Sequence, residues 1–137
     1  MRGVISNAAR KQQIIDFGGL RFGNITPTDI DGMIEYHGKA YAILEFKYGD
    51  AALPYGQRLC LERMVRDFGK TGKHAIAVVA EHSVHDTNES IPAAQSRVRE
   101  LYSTGMNELF WRPPAREMTA LDLLVRFFEQ ADRNMGF

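Results

Sequence analysis

A single cysteine, Cys60, leaves the chain no partner for an internal disulfide, so a reducing compartment is the expected setting. Long apolar runs are absent too: nothing approaches the ~20 residues that a membrane-spanning helix needs. The first residues carry no apolar signal core. The expectation is a cytoplasmic, intracellular protein with no membrane partner. Charge excess is also missing, because 17 Lys and Arg balance 17 Asp and Glu. That balance speaks against indiscriminate coating of nucleic acid, which needs a large basic surplus. Zinc-type ligand sets are lacking as well. His82 and His85 stand beside Asp86, but zinc takes three or four protein ligands and no cysteine is near. The pair reads as part of a surface loop, and His37 and His74 as incidental. There are no repeats and no low-complexity tracts.

What remains is a chain of ordinary globular composition, long enough for one domain over 1–137 with a real core. Its organising stretch runs from Ile25 to Met64 and reads as strand, turn, strand, loop and helix. The strands are expected over 30–36 and 40–47, with His37-Gly38-Lys39 as the turn of a hairpin. The second strand ends in Glu45-Phe46-Lys47 after the apolar run Ala-Tyr-Ala-Ile-Leu, placing charge where burial should be greatest. A break in pattern of that kind marks a site. Side chains alternate along a strand, so Glu45 and Lys47 share a face about 6.6 Å apart, while Leu44 and Phe46 point to the other. Asp29 and Asp31 share a face at the start of the first strand, and the hairpin brings Asp31 to the end that carries Glu45. Neighbouring carboxylates repel unless a cation lies between them, and hard oxygen ligands select Mg²⁺ or Mn²⁺.

An aspartate, then about fifteen residues, then Glu-x-Lys at a strand end, then a glutamine in the next helix resembles the PD-(D/E)XK nuclease superfamily. Pro27-Thr28-Asp29-Ile30-Asp31 stands for the first half-motif, Glu45-Phe46-Lys47 for the second, and Gln57 for the glutamine of RecB-like and VRR-NUC branches. The resemblance covers roughly 5–82. It departs from the pattern at the first half-motif, where two aspartates compete and Pro27 adjoins neither. Asp31 is favoured as the main metal ligand, with Asp29 as a second ligand or a cap. The resemblance implies an α/β fold of restriction-endonuclease-like architecture, with a mixed central sheet flanked by helices. It also implies Mg²⁺- or Mn²⁺-dependent hydrolysis of phosphodiester bonds in DNA. Asp31 and Glu45 would hold the metal, Lys47 would orient or deprotonate the attacking water, and Gln57 would steady the water or a phosphate oxygen. Arg58 and Arg63, beside this site, are the expected phosphate contacts. A phage or mobile-element setting and homodimeric action on branched or duplex DNA belong to the same implication. The rival is a non-catalytic module on that fold, binding nucleic acid or a protein.

Elsewhere, Ser6 to Phe17 is expected to be a short helix stopped by Gly18-Gly19, with Ile14, Ile15 and Phe17 buried. Leu20 to Ile25 reads as a short strand. A helix should start at Pro54 and run to Phe68, with Gly69 as its stop and Gln57, Leu61, Met64 and Phe68 on one face. His74 to Ala80 reads as a buried parallel strand, and 81–91 as a loop. Ala93 to Tyr102 fits a helix, but aromatic and β-branched content favours a C-terminal hairpin over 98–102 and 108–112, ended by Pro113-Pro114. Its aromatics, Tyr102, Phe110 and Trp111, read as core and the arginines Arg97, Arg99, Arg112 and Arg116 as solvated. A last helix follows, capped by Thr119 with Asp122 three residues on, with Leu121, Leu124, Val125 and Phe128 as its apolar stripe.

Overall fold

The computed structural model describes residues 13–137. The hairpin forms as its sequence demands. Strand β1 (Gly32–Tyr36) pairs antiparallel with β2 (Ala40–Tyr48), from Gly32 opposite Leu44 to Tyr36 opposite Ala40. His37 and Gly38 both adopt positive φ, at 52° and 66°, and Lys39 N–H donates back to Tyr36 O at 3.0 Å. This is the left-handed turn whose twist suits a tight hairpin.

Helix α1 (Tyr55–Lys70) follows, with Pro54 at its cap. It ends at Lys70, two residues later than the expected Phe68, because Gly69 stays helical and Gly72 makes the exit. Gly72 has φ +80, its N–H donates to Gly69 O, and Lys73 N–H donates to Phe68 O, each at 3.1 Å. A Schellman closure needs the left-handed residue beyond the cap, which is where Gly72 sits. Strand β3 (His74–His82) then runs parallel to β2, Ala40 opposite His74 through Tyr48 opposite His82. The strand thus takes in Glu81 and His82, which the polar sequence assigns to a loop. β4 (Arg97–Ser103) pairs antiparallel with β3, with a register shift at Val79/Ala80. The order β1-β2-β3-β4 makes one mixed sheet.

Alternation sorts this sheet into two faces. Ile43, Ala75, Ala77, Val79 and Tyr102 pack against Leu61 and Val65 of α1. Ala40, Ala42, Ile76, Val78, Val98 and Leu101 pack against Leu123, Phe127 and Ala131 of helix α2 (Ala120–Asp132). The protein is therefore α/β, with a helix on each side of the sheet. Asp132 near the end of α2 accepts from Tyr36 Oη at 2.8 Å and pairs with Lys39 at 2.5 Å, tying the last helix to the hairpin turn.

Four expectations are corrected. Residues 13–17 are not helical, and the rest of the expected N-terminal helix lies outside the described residues. Ile14 and Ile15 are 94% and 73% exposed. Asp16 Oδ1 accepts from Gly18 N–H at 2.8 Å, a local turn that competes with helix. Phe22 and Ile25 bond to each other across a tight turn, which replaces the expected strand. Only the first limb of the C-terminal hairpin is a strand. The second touches it through the Leu101–Arg112 bridge, after which Pro113 has no N–H to extend the ladder. Finally, α2 buries Ala120, Leu123, Phe127 and Ala131, with Leu124 and Phe128 beside them, and leaves Leu121 and Val125 about half exposed. Thr119 Oγ1 does cap it, accepting from Asp122 N–H at 3.2 Å.

Candidate active site

The site is built at the end of the sheet where the parallel strands β2 and β3 finish. Glu45 and Lys47 project to the α1 face, in phase with Ile43. Asp31 stands one place beyond the last ladder pair, Gly32 with Leu44, and so falls opposite Glu45. Its Oδ2 accepts from Phe46 N–H at 2.8 Å, filling the position where a backbone carbonyl would continue the ladder. The carboxylate therefore ends the hairpin and presents its other oxygen beside Glu45.

Glu45 is 2% exposed, and its Oε1 has no hydrogen-bond partner among the described residues. A buried polar atom left unpaired costs free energy, about 1–3 kcal/mol. Its carboxyl is pushed up to about 7 by burial first, then by the charge of Asp31 and a hydrogen bond with it, with the Lys47 ammonium offsetting part.

Lys47 reaches the second polar link. Its Nζ lies 3.5 Å from Gln57 Oε1, and Gln57 Nε2 donates to the Asp29 carbonyl at 3.1 Å. The α1 glutamine thus spans from the segment before β1 to the end of β2, as its helical phase predicts. Lys47 lies opposite Glu81 in the ladder, yet Glu81 is taken by Arg97 and Arg99. Among the described residues Lys47 makes no ion pair, so its ammonium is uncommitted.

Of the sequence-derived residues, Asp31, Glu45, Lys47 and Gln57 come together. Asp29 joins them through its backbone carbonyl, and its side chain is exposed. No group of three or more His, Cys, Asp or Glu side chains gathers among the described residues. Asp31 and Glu45 are the pair that could hold a cation. The orphaned buried oxygen and the adjacent like charge fit a hard divalent ion, and Mg²⁺ commonly takes one or two carboxylates and keeps waters elsewhere. Arg58 is committed: it pairs with Glu100 and lies 4.6 Å over the Trp111 ring. Arg63 is exposed on the outer side of α1.

Sequence reasoning missed a brace. Arg99 donates to the carbonyls of Gly49 and Ala51 at 2.8 and 2.7 Å, fixing the loop between β2 and α1. The alternation of Arg97 and Arg99 on a strand was its only signal. Among the other C-terminal residues, Tyr102 is core, Trp111 is half-buried against it, and Phe110 is exposed. Arg112 is no solvated arginine, since it donates to Ser103 Oγ at 2.7 Å.

Compared with family models, curated proteins and solved structures, the chain matches none.

Proposed function

We propose that this protein is a Mg²⁺-dependent nuclease that hydrolyses phosphodiester bonds in DNA, on a restriction-endonuclease-like version of the α/β fold. One observation carries the reading: a buried carboxylate with an unpartnered oxygen lies opposite a second carboxylate, with an uncommitted ammonium two residues on. A purely structural strand end has no use for that combination, since buried charge is costly unless paired. Asp31 and Glu45 hold the cation, with the Phe46 carbonyl as an additional oxygen. When bound, it would polarise the scissile phosphate and lower the pKa of a coordinated water. Lys47 orients the attacking water and offsets charge on the phosphate. Gln57 fixes Lys47 from the helix side and holds the Asp29 segment in place.

The reading is tested on plasmid, linear and branched DNA with Mg²⁺, Mn²⁺ or EDTA. Cleavage that needs the metal and disappears in Glu45→Ala, with folding intact, is expected; wild-type cleavage rates in that variant overturn the assignment. The second reading, a binding module without catalysis, draws on the commitment of Arg58 to Glu100 and on the gathering of two carboxylates rather than three. DNA binding with no cleavage in either metal selects it. Homodimeric action and an intracellular, phage-type setting belong to the same proposal, and sedimentation in solution tests the first.

A further inference from the structure

Beside the proposed catalytic group, on the opposite face of β2, lies a cavity of about 490 Å³ bounded by Tyr48, His82, Val84, His85, Glu89 and Ile91, with Asp86 and Thr87 at its rim. The two imidazoles stand edge-on to the Tyr48 ring, at centroid distances of 5.7 Å for His82 and 5.4 Å for His85. Tyr48 Oη and His85 Nδ1 are hydrogen-bonded, and Val84 N–H donates to His82 Nδ1, so the rings are held in place. Tyr48 nevertheless keeps about half its surface exposed, as does Ile91. None of the folding contacts described above needs this cluster.

We infer that this cavity seats one unpaired nucleobase of the DNA strand, and that it favours a base carrying an exocyclic amine. Three observations converge on that ligand. The walls are aromatic and aliphatic, which suits a flat π-face, and stacking on such side chains is how single strands are held without sequence-reading grooves. The lining contains no Lys or Arg, while Asp86 and Glu89 are acidic, so a phosphate is repelled and an amino group finds acceptors. Asp86 Oδ1 already accepts from Asn88 N–H at 2.9 Å, which leaves Glu89 as the freer acceptor. Lys47 and Tyr48 are consecutive at the end of the β2–β3 ladder and project to opposite faces, so a single strand that rounds this end of the sheet meets Lys47 with a phosphate and Tyr48 with a base. A base inside a duplex is stacked and paired and cannot enter a side cavity without being extruded. The substrate is therefore DNA with at least one unpaired nucleotide next to the cleaved bond. This rests on the nuclease reading for the position of the phosphate, but the cavity's own selectivity does not.

The test uses short fluorescent oligonucleotides of deoxycytidine and of thymidine, which carry equal charge and differ in the exocyclic amine. Binding is followed by anisotropy with Ca²⁺ in place of Mg²⁺ at mildly alkaline pH. The cytidine strand should bind about tenfold more tightly than the thymidine strand, and Tyr48→Leu should weaken it about tenfold. Glu89→Gln, on an exposed loop, should reduce the preference while leaving the thymidine strand unaffected. Equal affinity for the two strands, or a Tyr48→Leu variant that folds and binds as the parent does, overturns the inference. The same samples moved to Mg²⁺ separate the two claims. Base preference without cleavage removes the nuclease reading and keeps the cavity, whereas cleavage without base preference does the reverse.

Discussion

Glu45 binds its proton more tightly in the folded protein than in the unfolded chain, and the sign of the consequence follows. Its carboxyl sits near 7 instead of the ordinary 4.5. Below the lower value both states are protonated and the residue favours neither. Between the two, the unfolded chain gives up its proton while the folded one keeps it. Stability therefore declines as pH rises through this window and levels off above it, by about 3 kcal/mol at most. Glu45→Gln should abolish that decline, so melting curves at about pH 5 and about pH 8 should differ less for the variant than for the parent. An equal shift in both proteins would show that the burial of Glu45 is compensated. Lys47 makes a different prediction. If its ammonium serves the chemical step, Lys47→Met lowers single-turnover cleavage by about a hundredfold or more, the range that general acid–base groups supply. DNA affinity in Ca²⁺ should change little, because one phosphate contact among several is a modest share of binding. An unchanged single-turnover rate with weakened, less salt-dependent binding would place Lys47 on the binding surface instead.

The elements differ in how openly the sequence declares them, and the reasons are physical. β1, β2 and β3 were legible because their neighbours in sequence form their edges: a His-Gly turn, and a helix short enough to return the chain to the adjacent position. Asp31, Glu45, Lys47 and Gln57 were legible for the same cause, since strand alternation and helical phase alone bring them to one end. α2 was legible as a helix but not in its phase. Its run Ala-Leu-Asp-Leu-Leu-Val-Arg-Phe-Phe is apolar around more than half the circumference, so a buried stripe through Leu123 and Phe127 and one through Leu121 and Val125 fit it almost equally. What decides between them is the depth of the sheet opposite, where Ala40, Ala42, Ile76 and Val78 accommodate Phe127. The second limb of the C-terminal hairpin failed because Leu109 and Trp111 find better burial against the α1 cluster than in a ladder. Closer still is the turn after β4. Gly105 has φ +97, and a Cβ there would lie 2.5 Å from Gly136 Cα. Gly105→Ala is expected to destabilise the protein by about 2 kcal/mol or more, through left-handed strain and overpacking together. Denaturant unfolding with an unchanged midpoint would show that the tail moves aside without cost.

At the scale of the molecule, the cation proposed to bridge Asp31 and Glu45 would bind the folded state alone, because the hairpin is what brings the two residues together. Millimolar Mn²⁺ should then raise the melting temperature, by mass action of the order of 2.7 kcal/mol at a hundred times the dissociation constant. The gain should shrink in Glu45→Ala. A melting temperature unmoved by Mn²⁺ in the parent, with a known metalloenzyme responding in parallel, would count against a metal there. The clasp between Asp132 and the Tyr36–Lys39 turn has a consequence for how the chain is made. Its partners are separated by 96 and 93 residues, and the α2 layer over Ala40, Ala42, Ile76 and Val78 is supplied by a stretch, Ala120–Asp132, that is synthesised well after the strands it covers. At roughly 5–20 residues per second, the hairpin and crossover exist for several seconds with one apolar face of their sheet open. During that interval the nascent chain depends on its surroundings, chaperone or neighbour, for the cover that α2 later provides.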